Sequence, residues 1–178
     1  MREYLISKEE ALNLIEGSTK YDHSLLVSRI MKGLAERLGE DAAEWELVGL
    51  LHDLDHDIVK GDMSRHGVVA ARNLEGRLSE AGLYAIKSHD HRAGFAPRSQ
   101  MDRSLIAADA LAIFIEDQGI GEVEGKEDLA AKLKDESARK PWISDAILTF
   151  CRERGLQLDF LKLGLDPEID TPLSDQGW

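Results

Sequence analysis

The sequence predicts an all-α protein, a single-domain helical bundle. Three observations carry that prediction. Apolar residues recur at spacings of three and four along most of the chain. Helix-initiating pairs, Ser7 with Glu10 and Asp41 with Glu44, stand at the heads of two such segments. No apolar–polar alternation runs long enough to mark a strand, and there is no internal repeat. With 178 residues, 43% of them hydrophobic, the chain can bury a core of its own.

The first helix follows Ser7, carries Ala11, Leu12, Leu14 and Ile15 on one face, and stops at Gly17. The second starts near Asp22, carries Leu25, Leu26, Ile30, Met31, Leu34 and Leu38, and ends at Gly39. The third opens at Asp41 with a second capping box. It is apolar nearly all round (Ala42, Ala43, Trp45, Leu47, Val48, Leu50, Leu51) and is therefore expected to be buried, delivering His52 and Asp53 from inside the protein. LDHDIVKGD reads as a loop. Ser64 is expected to cap a fourth helix through about Leu78, with His66 in its first turn. Leu83 to His89 is short and helical, and DHRAGFAPRSQ is an irregular loop. Ser99 or Asp102 opens a long helix through Ile115 that holds Asp109. After the Gly-rich acidic connection EDQGIGEVEGKED, two more helices are expected near 127–137 and 142–154. The domain is taken to span 1–163. Residues 164–178, with two prolines and few apolar side chains, are predicted to form a loosely held tail.

Net charge is −12. A uniformly acidic domain is a poor partner for a nucleic acid duplex, whose binders release counterions with a basic face. A small phosphorylated substrate is not excluded, because a metal ion brings its own positive charge. The only cysteine, Cys151, cannot form an internal disulfide, which fits a reducing compartment. The N-terminus has no uninterrupted apolar run of a signal peptide, and no stretch approaches the roughly 18 apolar residues of a spanning helix. The expectation is a soluble, cytoplasmic protein with no membrane partner. A homo-oligomer is left open.

The histidines are ordered: His23, then His52-Asp53, His66 and His89, followed by a lone carboxylate, Asp109, inside SLIAADALAIFI. Imidazole with carboxylate suits Mn²⁺, Fe, Zn²⁺, Co²⁺ or Ni²⁺, and no cysteine is present nearby for a thiolate zinc site. An ionisable pair closing a buried helix must find partners, since an unpaired buried polar group costs on the order of 1–3 kcal/mol. A favourable helix dipole would account for His52 but not for the adjoining Asp53. Asp109, among Ile106, Ala107, Ala108, Ala110, Leu111 and Ile113, poses the same problem more sharply. A bound cation or a buried arginine pair would answer it.

The segments YDHSLLVSRIMKGLAERLG, WELVGLLHDLDHD and SLIAADALAIFI together resemble the HD-domain superfamily of metal-dependent phosphohydrolases, and in particular a small stand-alone branch of it. The resemblance covers roughly Glu10 to Asp117. It implies that His23, His52, Asp53 and Asp109 ligate one metal. In members with two metals, two further histidines lie between the HD pair and the last aspartate. His66 and His89 occupy those slots, with His91 competing with His89. Nucleotide-cleaving members often carry Glu or Glu-Asp three and four residues after the HD aspartate, and another branch carries lysine at the first of these positions. This chain has His56 and Asp57. Asp57 fits a general acid/base role by position, whereas His56 matches neither pattern. No Gly-Tyr-Pro follows DHRAGFAP, so the resemblance does not extend to cyclic-di-GMP phosphodiesterases.

The resemblance implies a metal-dependent phosphohydrolase cleaving a phosphate ester of a nucleotide or another small metabolite. Metal-activated water would attack phosphorus, with Asp57 and Asp53 as catalytic groups and Lys60, Arg65, Arg92 and His56 toward the substrate. One or two divalent transition metal ions per chain are expected. Two other classes stay open, a di-iron oxygenase of the HD fold and a non-catalytic metal-dependent ligand sensor.

Overall fold

A computed structural model of the protein describes residues 6–118 and 126–155. Its helices are α1 (Lys8–Ile15), α2 (Tyr21–Leu38), α3 (Ala42–Leu51), α4 (His56–Val59), α5 (Val68–Asn73), α6 (Glu80–Ser88), α7 (Gln100–Gln118), α8 (Lys126–Arg139) and α9 (Pro141–Arg154), with a 3₁₀ turn at His91–Ala93. The all-α bundle is as the sequence predicts. Among the described residues no helix is long and apolar enough to cross a membrane. The predicted tail at 164–178, and the domain boundary at 163, lie outside the described residues.

The apolar helix α3 is buried along its length, with Trp45, Val48, Leu50 and Leu51 all inside. It packs on α2, α6, α1 and α7, while α9 closes over α7 and α8. Gly49 lets the backbones of α2 and α3 approach closely. A Cβ there would stand 2.9 Å from the Ser28 Cα and 3.0 Å from the Val27 carbonyl oxygen. This contact sets α3 beside the first turns of α2, from which His23 projects.

The predicted helix starts hold at α1, where Glu10 N–H donates to Ser7 Oγ at 3.1 Å and Ser7 N–H to Glu10 Oε2 at 2.8 Å. At α3 only half of the expected box forms. Asp41 accepts from Ala43 and Glu44 N–H, but the Glu44 carboxylate accepts from the Ser79 hydroxyl, tying α3 to the cap of α6 instead. Ser99 and Asp102 act together at α7. Asp102 N–H donates to Ser99 Oγ, and Ser99 N–H to Asp102 Oδ2.

Two expectations are corrected. LDHDIVKGD is not all loop, because His56–Val59 makes a helical turn. The fourth helix is shorter than predicted and starts later. Ser64 turns its hydroxyl to Asp62 at 2.6 Å rather than capping a helix. Gly67, at φ 74, redirects the chain before α5 begins, and Gly76, at φ 73, turns it again after α5 ends. His66 therefore sits in the turn ahead of the helix. It is buried there, not solvated.

Replacing Gly49 with Ala is expected to destabilise the fold by about 1–3 kcal/mol, the range for overpacking a tight contact. Urea denaturation of the variant measures it, and an unchanged midpoint would refute the close approach as a constraint.

Candidate metal centre

Four imidazoles and two carboxylates meet where α2, the end of α3, the turn before α5, the end of α6 and the middle of α7 converge. His23 Nε2 lies 3.0 Å from Asp109 Oδ1 and 3.7 Å from Asp53 Oδ2. His52 Nε2 lies 3.5 Å from Asp53 Oδ1 and 3.9 Å from Asp109 Oδ1. His66 Nε2 is 3.0 Å, and His89 Nε2 3.6 Å, from the same Asp53 Oδ1. Asp53 thus faces His23 with one oxygen and His52, His66 and His89 with the other. Two overlapping triads, His23–His52–Asp109 and His52–Asp53–His89, hold their ligand atoms within 4.8 Å of one another.

The second nitrogen of every ring is already engaged. His23 Nδ1 is 3.1 Å from Glu116 Oε2, His52 Nδ1 2.8 Å from the Gly49 carbonyl, His66 Nδ1 2.8 Å from Asp55 Oδ1, and His89 Nδ1 2.7 Å from the Ile86 carbonyl. A carbonyl oxygen only accepts, so Nδ1 of His52 and His89 carries the proton. His66 and His23 have a carboxylate beside both nitrogens, so without a cation both nitrogens can carry a proton; when a cation takes Nε2, the proton stays on Nδ1. Each neutral ring then presents a lone pair on Nε2 to the cluster, the arrangement a metal-ligating imidazole requires.

Without a cation, that arrangement is electrostatically incomplete. His66 Nε2 and His89 Nε2 stand 3.1 Å apart; a proton on one lets the two share a hydrogen bond, and without it two lone pairs meet there and repel unless another positive charge lies between or beside them. His52 Nε2 is buried with no hydrogen-bond partner. These donors fit a divalent transition ion.

Besides Lys20, whose Nζ stands 4.0 Å from Asp53 Oδ2, protons on the imidazoles can answer the carboxylates. Burial alone would lower His23 and His66, but Asp109 and Asp53 around the first, and Asp53 and Asp55 around the second, outweigh it and raise each to about 9. His52, sealed from water, is pushed down to about 4. Burial would raise Asp53, yet His52, His66 and His89 hold its carboxyl well below the usual range.

Above the cluster is a cavity of about 490 Å³. Lys20 lines it, with its Nζ 4.0 Å from Asp53 Oδ2. Arg92 lines it too, but its guanidinium is held by Asp90 at 2.9 and 3.0 Å. His56 reaches the cavity with its ring edge-on to His66, centroids 5.8 Å apart. His89 is buried in the cluster, whereas His91 is 94% exposed at the cavity rim. Lys60 and Arg65 are exposed and do not line the cavity. Nor does Asp57, whose carboxylate accepts from Thr19 N–H at 3.0 Å, from Ser18 Oγ at 3.2 Å and from the Thr19 hydroxyl.

Sequence reasoning missed Lys20, Asp55, Glu116 and Gly67. Asp55 is fully buried and also accepts from Gly67 N–H at 3.2 Å and Ala70 N–H at 2.8 Å. A Cβ at Gly67 would stand 2.3 Å from the Ile86 carbonyl oxygen and 3.3 Å from His89 Nδ1. Two of these had a signal. Glu116 lies two helical turns beyond Asp109, and Lys20 about one turn before His23. Asp55 had none, because its partner is eleven residues away across a turn.

A family model, HD domain, matches residues 21–113. The chain belongs to the HD domain family, the superfamily of metal-dependent phosphohydrolases whose members bind divalent metals. No curated protein and no solved structure matched it.

Replacing Asp55 with Ala is expected to weaken metal binding about 10–100-fold, the usual consequence of losing a carboxylate that orients a ligating imidazole. Metal titration with circular dichroism as a folding control checks this, and unchanged affinity would refute the role. A second expectation concerns pH. For His23 and His66 the folded value, about 9, exceeds the ordinary 6.5. Their contribution to stability is therefore complete below about 6.5 and is lost as pH rises through about 9. The melting temperature of chelated protein should fall across that window. Protein loaded with metal should fall less, because the ion takes the place of the protons. Parallel curves for the two forms would contradict it.

Proposed function

We propose that the protein hydrolyses a phosphate ester of a nucleotide or another small phosphorylated metabolite. The observation that supports this is the convergence of four lone-pair-bearing imidazoles and two carboxylates at the floor of a cavity that admits a small molecule. His23, His52 and Asp109 would hold one ion. His66 and His89 would hold a second, and Asp53 faces both groups. When bound, such ions supply Lewis acidity and an activated water for in-line displacement at phosphorus.

The chain's own groups do the rest. Lys20 neutralises a phosphoryl oxygen, aided by Arg92 once the substrate competes with Asp90. Water's oxygen bonds to phosphorus, the ester P–O bond breaks, and the leaving alkoxide takes a proton to become the alcohol. His56 is favoured as that proton donor, because its ring borders the cavity edge-on to His66. Asp57, with Ser18 and Thr19 on its carboxylate, is read as an anchor for the start of α2, 3.6 Å from His56 Nδ1. Lys60 and Arg65 are read as solvated surface charges.

The pairing of His66 and His89 on Asp53 also suits two irons, which keeps an oxygenase as the second reading. Protein purified without chelators and reconstituted with Mn²⁺, Co²⁺, Ni²⁺, Zn²⁺ or Fe²⁺ should release phosphate from a panel of phosphomonoesters. Two bound irons with oxygen-dependent turnover and no phosphate release would replace the hydrolase with the oxygenase, and bound ligand without turnover would indicate a sensor. His56→Ala should lower kcat about 10²-fold or more for alkyl phosphates, the usual worth of a general acid. It should barely affect a nitrophenyl ester, whose leaving group needs no proton. Equal losses on both would remove His56 from that step.

A further inference from the structure

The cavity has two unlike ends. At its floor are the ligand cluster and Lys20. Elsewhere its lining is mixed: Ser88, Asp90, His91 and Arg92 bring polar groups, alongside an apolar stretch that the sequence builds in a regular way. On α7, Ile106 and Ile113 stand one turn before and one turn after Asp109, so one helix face offers apolar, carboxylate and apolar in turn. On α9, Trp142 and Ala146, four residues apart, face the same space. Phe95 completes the wall, its ring set edge-on to Tyr84 at 6.2 Å between centroids. Trp142 is 52% exposed, so its ring has free apolar surface that a ligand in the cavity can cover.

The cations are few. Among the described residues, Lys20 and Arg92 are the basic side chains besides histidine that line the cavity, and Arg92 is paired with Asp90. With Lys20 and Arg92 engaged on the first phosphoryl group, a triphosphate or diphosphate chain running on past Ile113, Phe95 and Trp142 would meet apolar side chains, and unpaired burial of charge there is costly.

We propose that the preferred substrate is a phosphomonoester whose alcohol carries a flat, apolar group. Its single phosphoryl group sits at the cluster beside Lys20, and its apolar group lies against Ile113, Phe95 and Trp142. This rests on the phosphohydrolase reading and narrows it to one substrate class. Trp142 is then a specificity-determining residue, acting on the part of the substrate that does not react.

The test uses two non-hydrolysable probes, phenylphosphonate and methylphosphonate, titrated by calorimetry into the metal-loaded protein. Phenylphosphonate should bind about tenfold tighter or more, as expected when a ring's apolar surface leaves water. Trp142→Ala should erase most of that preference while leaving methylphosphonate affinity and metal content unchanged. Trp142→Phe should retain it. In turnover, aryl phosphates should exceed glycerol phosphate and nucleoside triphosphates in kcat/KM, mainly through KM. Equal affinity for the two phosphonates, in protein that does release phosphate from monoesters, would overturn the subsite and leave the hydrolase standing. The same holds if Trp142→Ala weakens both probes alike. Binding of neither probe, with no phosphate released from any ester, would overturn both.

Discussion

The whole arrangement depends on how the far side of each imidazole is held. A histidine can offer a lone pair in a chosen direction only if its other nitrogen is fixed as a donor. Here two carbonyls, from Gly49 and Ile86, and two carboxylates, Asp55 and Glu116, supply those acceptors. The carbonyls lie three residues before their histidines, at the C-terminal ends of α3 and α6. Carbonyls there lack helical partners, so two of the anchors come from the helix ends themselves. Placing a ligand just past a helix end is a means of aiming it without recruiting another side chain.

The helix packing then brings the aimed rings together. α3 must be apolar to sit at the centre, and because it is, the pair at its end arrives in a place with little water. His52 is fully buried and Asp53 nearly so. In such surroundings charge is expensive unless matched, and the six groups match each other only in part. Between His66 and His89 a proton or a cation must separate two lone pairs, while Asp53 and Asp109 bring negative charge from two sides. The fold supplies the geometry and leaves the positive charge to come from outside. This ties the native state to whatever cation, metal ion or proton, fills that role.

Much of this was legible in the sequence, for reasons that can be named. A helix apolar all round has nowhere to be but inside, so the burial of His52 and Asp53 followed from their neighbours. Asp109 was legible because one acid stands among Ile106, Ala107, Ala108, Ala110, Leu111 and Ile113. The contribution of His66 was half legible. Its rank between Asp53 and Asp109 suggested a ligand, but its local setting was misjudged, because Ser64 looked like a cap and in fact bonds Asp62. Asp57 shows the converse. Position alone gave it a chemical role, while Ser18 and Thr19, nearly forty residues earlier, hold its carboxylate. Side chains that meet across such separations leave no periodic trace, and neither did the pairing of Asp55 with His66.

Gly67 draws several of these threads to one point. Its N–H donates to Asp55, the carboxylate that holds His66. Its Cα abuts the Ile86 carbonyl, the oxygen that holds His89. A residue with no side chain thus sits between the supports of two imidazoles that belong to different elements. For recognising such centres in other chains, the useful signature is longer than a histidine–aspartate dipeptide. It is an aspartate two places after that pair, followed eleven residues on by His-Gly, where the glycine is as informative as the histidine beside it.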